Sequence, residues 1–167
     1  MWRRRGRRDR PLSAKAIIVA GSVAALSTAL PWFSYSWASG SETVTSTLVG
    51  LHDVTGRTMF FAGVAEATFA IAYLSVHPGI AKRLLRGAMV LLAFYMITVP
   101  LAAVAHSGSV PGSPAVNVPF GVPHVEATGA IGVLIALLAA LVVLVGSWLT
   151  VLDSVGEAVP GRRSRRS

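Results

Sequence analysis

The sequence predicts an all-α membrane protein, a four-transmembrane-helix bundle with its N- and C-termini cytoplasmic. Three observations predict it. Apolar residues make up 53% of the chain and charged ones 13%, against roughly 25% charged in an ordinary soluble domain, and mean hydropathy is +0.64. Four apolar stretches reach the roughly 20 residues that a spanning helix needs. All the Lys and Arg residues except Arg57 fall in segments that four spans would leave on one side.

Residues 1–15 read as a basic cytoplasmic tail carrying Arg3, Arg4, Arg5, Arg7, Arg8, Arg10 and Lys15. The first span, 16–35, has no charged residue and closes on Pro31, Trp32 and Tyr35, with Trp37 just beyond. Such aromatics suit a membrane interface. A basic head, an apolar stretch and Ser36-Trp37-Ala38 also imitate a cleaved signal peptide, but the length of the stretch and its aromatic belt favour an anchored span. In the outer loop 36–57, the β-branched alternation of Glu42-Thr43-Val44-Thr45-Ser46-Thr47-Leu48-Val49 suggests a short strand or hairpin arm.

The second span, 58–76, carries one charged residue, Glu66, and His77-Pro78-Gly79 ends it. A basic turn with Lys82, Arg83 and Arg86 leads into the third span, 87–105. The outer loop 106–126 is punctuated by Gly108, Pro111, Gly112, Pro114, Pro119, Gly121 and Pro123, which predicts turns and extended chain. The fourth span, 127–152, completes a transmembrane domain of residues 16–152. Residues 153–167 are a second basic tail, with Arg162, Arg163, Arg165 and Arg166.

Lys and Arg in short loops near span ends stay on the cytoplasmic side, so the expected location is the plasma or inner membrane, multi-pass, with both termini inside. The net charge of +8 and the pI near 11.3 would suggest nucleic acid in a soluble chain. Here the basic tails are expected to meet anionic lipid headgroups instead, at about 1 kcal/mol per residue, and no nucleic acid is expected. The absence of cysteine removes disulfides and thiolate chemistry. No catalytic motif stands out, and neither an enzyme nor a cofactor is expected.

Small residues recur at helix-facing spacing: Gly21, Ala25 and Ala29; Gly63 and Ala67; Gly132, Ala136 and Ala140. In lipid, close backbone approach through such faces packs a bundle. They serve packing within the chain, a homo-oligomer, or a membrane-protein partner. Glu66 lies two turns inside its expected span, roughly 12 Å from the outer end. With no span residue of opposite charge, burial favours the neutral acid. Thr28 and Thr98 are expected at similar depth, and Pro100 frees the carbonyl of Met96 as another acceptor. Glu66 is then either an interhelical hydrogen-bond strut or a proton- or ion-coupling carboxylate.

Glu66-Ala67-Thr68-Phe69-Ala70-Ile71 and Glu126-Ala127-Thr128-Gly129-Ala130-Ile131 agree at five of six positions, which suggests a parallel duplication of a two-helix unit. On the outer side, His52, His106, His124 and Glu126 are weak candidates for a metal site, although polar groups at a water boundary need no metal and no site is expected.

Pro31-Trp32 with Tyr35 and Trp37, the basic turn Lys82-Arg83-Leu84-Leu85-Arg86-Gly87, and an Arg-rich tail give the chain a further likeness. It resembles the small four-span membrane proteins of actinobacteria, including the tryptophan-associated membrane protein family. The resemblance covers topology and composition and transfers no site residue. Small multidrug-resistance exporters also embed a glutamate in the membrane, but in their first span. The expected function is that of a structural, assembly or accessory subunit of a membrane complex; the alternative is a small oligomeric proton-coupled transporter using Glu66.

Overall fold

The structure, a computed structural model, describes residues 10–39, 41–105, 108–110 and 125–157. Four helices alternate with pairs of strands. The order is α1 (Arg10–Ser27), β1 (Pro31–Ser39), β2 (Glu42–Val49), a 3-10 turn (Gly50–His52), α2 (Val54–Ser75), α3 (Ile80–Ala105), β3 (Gly108–Val110), β4 (Val125–Gly129) and α4 (Ile131–Glu157). The strands form one antiparallel sheet in the order β2-β1-β4-β3. Strands follow α1 and α3 and precede α2 and α4, so the sheet caps one end of the helices. The tight turn between α2 and α3 lies at the other.

Among the described residues, three helices are long and apolar enough to cross a membrane: Val54–Ser75, Ile80–Ala105 and Ile131–Leu152. The first apolar helix, Leu12–Ser27, is shorter, about 24 Å at ~1.5 Å per residue. This corrects the expected first span. Its helix stops at Ser27, and the aromatic residues that looked like its interface belt belong to β1. Pro31 explains the stop, since proline cannot donate a helical hydrogen bond and disfavours helix in the residue before it.

Other boundaries shift for equally local reasons. The α2 helix begins at Val54 rather than 58, because the Asp53 side chain accepts from the Thr55 N–H at 2.8 Å and caps it. The α3 helix starts at Ile80, so Lys82, Arg83 and Arg86 sit in its first turns rather than in a loop. Residues 125–129 form a strand instead of opening the fourth span, and that span runs on to Glu157. The expected hairpin arm is present and longer, with β1 as its second strand.

The helices pack α1 on α2 and α4, and α3 on the same two. Their interior is small: Ala14, Ala20, Ala24, Ala62, Ala70, Ala93, Ala136 and Ala140 are buried, with Met59, Met89 and Met96 filling between them. Large apolar residues face out, among them Leu26, Phe61, Ile71, Leu91, Leu138 and Val145. A water-soluble bundle would place its leucines inside; small residues within and bulky ones outside is the pattern of helices packed in lipid. The closest crossing joins α1 and α2. A Cβ on Gly63 would lie 2.6 Å from the Gly21 carbonyl oxygen and 2.9 Å from the Ala25 nitrogen, so the small residues read from the sequence do bring these backbones together.

The sheet is fastened to the helices through Trp32. The register of β1 against β2 shifts between Pro31 and Phe33, and such a bulge re-aims a side chain. Trp32 is fully buried, and its Nε1 donates to the Ser27 carbonyl at 3.1 Å. Gly50 and Gly132 give it room, since a Cβ on either would come within 2.6 Å of Trp32 Cδ1. Gly132 therefore seats an indole, whereas the sequence had placed it on a helix-packing face with Ala136 and Ala140.

The proposed duplication does not survive. Glu66 to Ile71 is helix, while the matching residues from Glu126 to Gly129 are strand. In a tandem repeat β1 and β3 would be equivalent, yet β1 is central and β3 is an edge.

Candidate functional site

The site with the clearest chemistry is Glu66, held in α2 with its side chain wholly buried. Ser147 Oγ of α4 donates to Glu66 Oε1 at 3.2 Å. The other carboxyl oxygen, Oε2, is buried without a hydrogen-bond partner. The α2 and α4 helices occupy opposite corners of the helical packing, so the bond crosses the interior instead of joining neighbours. Ala62, Gly63 and Ala70 of α2 are buried with it.

The expected neighbours are elsewhere. Thr28 is buried but donates its hydroxyl to the Ala25 carbonyl at 2.6 Å. Thr98 is exposed and donates to the Tyr95 carbonyl at 2.7 Å. Pro100 is buried inside α3, and the hydrogen bond of Glu66 goes to Ser147, not to the Met96 carbonyl. The depth was misjudged because α2 begins four residues early, which lowers Glu66 by about 6 Å at ~1.5 Å per residue. Ser147 carried a signal of its own: the run from Ile131 to Gly146 contains no hydroxyl, and Ser147 is the first after it.

Of the outer-side residues, His52 is exposed at the end of the 3-10 turn, and its carbonyl accepts from Arg57 Nη2 at 3.3 Å. Glu126 lies on β4, paired in register with Ser36 and Ser109. His106 and His124 fall outside the described residues, as do the tail arginines before Arg10 and after Glu157. Among the described residues no three His, Asp or Glu side chains gather as metal ligands. Nearby on β1, burial and then the charge of Asp53 hold the Tyr35 hydroxyl above its ordinary pKa.

At the opposite end, Tyr73 of α2 is gripped by α3. Lys82 Nζ stands 4.6 Å from its ring centroid, and Arg86 Nη2 donates to its hydroxyl at 3.3 Å. This cation–π contact fixes the α2–α3 turn on the face away from the sheet.

Fold and site together define a mostly helical chain with three helices suited to a membrane, a small sheet at one end and, among the described residues, one buried carboxyl between two of those helices. Compared with known proteins, the chain matches no family model and no curated sequence.

Proposed function

We propose that the chain is a four-span integral membrane protein of the plasma or inner membrane, with both termini cytoplasmic and its sheet outside. It works as a structural, assembly or accessory subunit of a membrane complex, not as an enzyme. The observation that carries this reading is β2, an eight-residue edge strand exposed along most of its length. An open edge offers unpaired backbone donors and acceptors to another chain, and it is usually blunted by lysine, proline or a bulge. Residues 42–49 contain neither lysine nor proline, and the extra residue of the register shift, Trp32, belongs to β1. The cations at the helix ends opposite the sheet support the orientation. In this reading α1 spans with help from its flanking turn, at a modest mismatch cost.

The test is affinity purification of the full chain in mild detergent with mass spectrometry, comparing wild type with Thr45→Lys at the strand edge. Wild type is expected to bring other membrane subunits in fixed stoichiometry, and Thr45→Lys to lose them. Recovery of a pure homo-oligomer from wild type would overturn the reading.

The partnerless Oε2 of Glu66 favours a second reading, a small oligomeric transporter in which this carboxyl couples a proton or cation. Proton flux in liposomes would then disappear in Glu66→Gln while the assembly persisted.

A further inference from the structure

A groove of about 670 Å³ runs between α1 and α4 on their outer face, walled by Leu12, Ala16, Val19, Val23, Leu138 and Val142, with Lys15 near its Leu12 end. It continues into a second hollow of about 310 Å³ that shares Ala16 and Val142. We propose that this groove holds one anionic phospholipid, an acyl chain lying along α1 and α4 and the headgroup phosphate on the Lys15 ammonium. The inference rests on the membrane placement proposed above.

Two observations select a lipid with a negative headgroup. First, the walls are apolar and Lys15 is the one charged residue among the described residues lining the groove. No Asp or Glu occurs anywhere in α1, and the first in α4 is Asp153, seven residues beyond Gly146. Second, Lys15 stands deep. Gly146 packs against Ile17, with a Cβ position 2.7 Å from Ile17 Cγ1, so Lys15 lies near the level of Gly146. The apolar run of α4 continues to Leu152, six residues or about 9 Å further at ~1.5 Å each. A cation at that depth beside a longer apolar helix needs an anion drawn in toward it, or a long snorkel outward. The groove supplies the first solution, because a chain seated in it brings its own phosphate to the mouth. Basic pockets between membrane helices recognise acidic headgroups in this way, and the groove walls add van der Waals contact along the chain.

The test uses the full chain in mild detergent and native mass spectrometry, with palmitoyl-oleoyl phosphatidylglycerol and phosphatidylcholine as probes. Wild type is expected to retain one phosphatidylglycerol in preference to phosphatidylcholine. Lys15→Gln should weaken phosphatidylglycerol about fivefold, the factor for about 1 kcal/mol from one cation at an anionic surface, and Lys15→Arg should keep it. Ala16→Phe, which fills the groove and leaves the cation, should lower retention of both lipids. Equal retention by wild type and all variants would overturn the proposal by assigning the lipid to the basic tails. Loss in Lys15→Gln with none in Ala16→Phe would overturn it by leaving headgroup attraction without a chain site. Thermal unfolding of each variant separates misfolding from lost binding, and Lys15→Arg keeps the test decisive if Ala16→Phe fails to fold. Carbonate extraction of wild-type membranes tests the placement separately: release of the chain would sink the membrane reading, whereas retention with no preference for phosphatidylglycerol would sink only the lipid site.

Discussion

Ser147 of α4 donates to Glu66 of α2 over 3.2 Å, between helices at opposite corners of the packing. Such a bond spans the middle of the helical core, where α1 and α3 come in from either side. Interhelical hydrogen bonds of this kind contribute about 0.6 to 2 kcal/mol, while a buried oxygen with no partner costs about 1–3 kcal/mol. The two effects nearly cancel, which makes the site inexpensive to alter in stability.

Glu66→Gln keeps the Oε1 acceptor for Ser147 and is expected to unfold within about 0.5 kcal/mol of wild type. Glu66→Leu removes the unpaired Oε2 together with the hydrogen bond, but it leaves the buried Ser147 hydroxyl without that acceptor, and is expected to cost about 1–3 kcal/mol. Thermal unfolding in detergent measures both. A loss above about 3 kcal/mol in Glu66→Gln would mean that the carboxyl itself, and not its shape, holds the interior.

The α1–α2 crossing should tolerate no side chain at Gly63. Alanine is the better helix former by about 1 kcal/mol, but here its methyl would meet the backbone of Gly21 and Ala25. Backbone cannot step aside as a flexible side chain can, so Gly63→Ala is expected to cost about 1–3 kcal/mol as overpacking. Gly87→Ala is the control. Nothing lies within 4 Å of a Cβ at that helical position, and the same substitution there is expected to raise stability by up to about 1 kcal/mol. Equal effects at the two sites would show that the crossing is looser than described.

Trp32 should be the costliest single residue to remove. It is fully exposed to contacts on every side and to solvent on none, and its neighbours stitch three segments together: Gly50 N–H donates to the Leu30 carbonyl at 3.2 Å, and Ala130 N–H to the Trp32 carbonyl at 2.9 Å. Trp32→Ala is expected to cost about 3–5 kcal/mol, and Gly132→Val to cost at least as much through the clash with the indole and the Pro31 carbonyl. Unchanged protease resistance of the sheet segment in either variant would contradict this role.

Much of this was legible in the residues and some was not. Apolar length revealed α2, α3 and α4; of the small residues spaced for packing, Gly21, Ala25, Gly63 and Ala67 meet at the tightest crossing, whereas Ala29 lies exposed beyond the end of α1. Length misled at Pro31–Trp37, because aromatic residues raise the apolar count whether they sit in a helix or a strand. The period was there to be read: Phe33, Tyr35 and Trp37 alternate with Ser34 and Ser36, the two-residue repeat of a strand. Ser147 escaped because a depth estimate depends on where a helix begins, and Asp53 moved that start. The pairing of β1 with β4 joins residues from Phe33↔Gly129 to Ser36↔Glu126, far apart in the chain, which no local pattern encodes.

Alkaline pH should loosen the sheet through Tyr35. Burial and the Asp53 charge keep its phenol neutral in the folded chain to a higher pH than in the unfolded one. As pH rises past the ordinary value of about 10, the unfolded state loses the proton first, and stability falls until the folded phenol ionises too. Tyr35→Phe should flatten this fall. Asp53→Asn should reduce it while retaining the α2 cap, since asparagine caps as well. Unfolding midpoints at pH 8 and above 10 decide the point, and an equal decline in wild type and Tyr35→Phe would assign the effect elsewhere.

Orientation is open to a clean measurement because the chain has no cysteine. Single cysteines therefore report without background. Thr43→Cys lies on the exposed edge strand, and Gly79→Cys lies in the α2–α3 turn, where a Cβ meets nothing within 4 Å; neither should disturb folding. If the cations at the end opposite the sheet set the topology, a membrane-impermeant maleimide added to intact cells labels Thr43→Cys and leaves Gly79→Cys unlabelled until the membrane is opened. Labelling of Gly79→Cys alone would invert the orientation, turn the sheet to the cytoplasm, and move the search for a partner of β2 to that side. Labelling of both without permeabilisation would break the membrane reading at its base, since the sheet and the turn lie at opposite ends of helices long enough to separate two compartments.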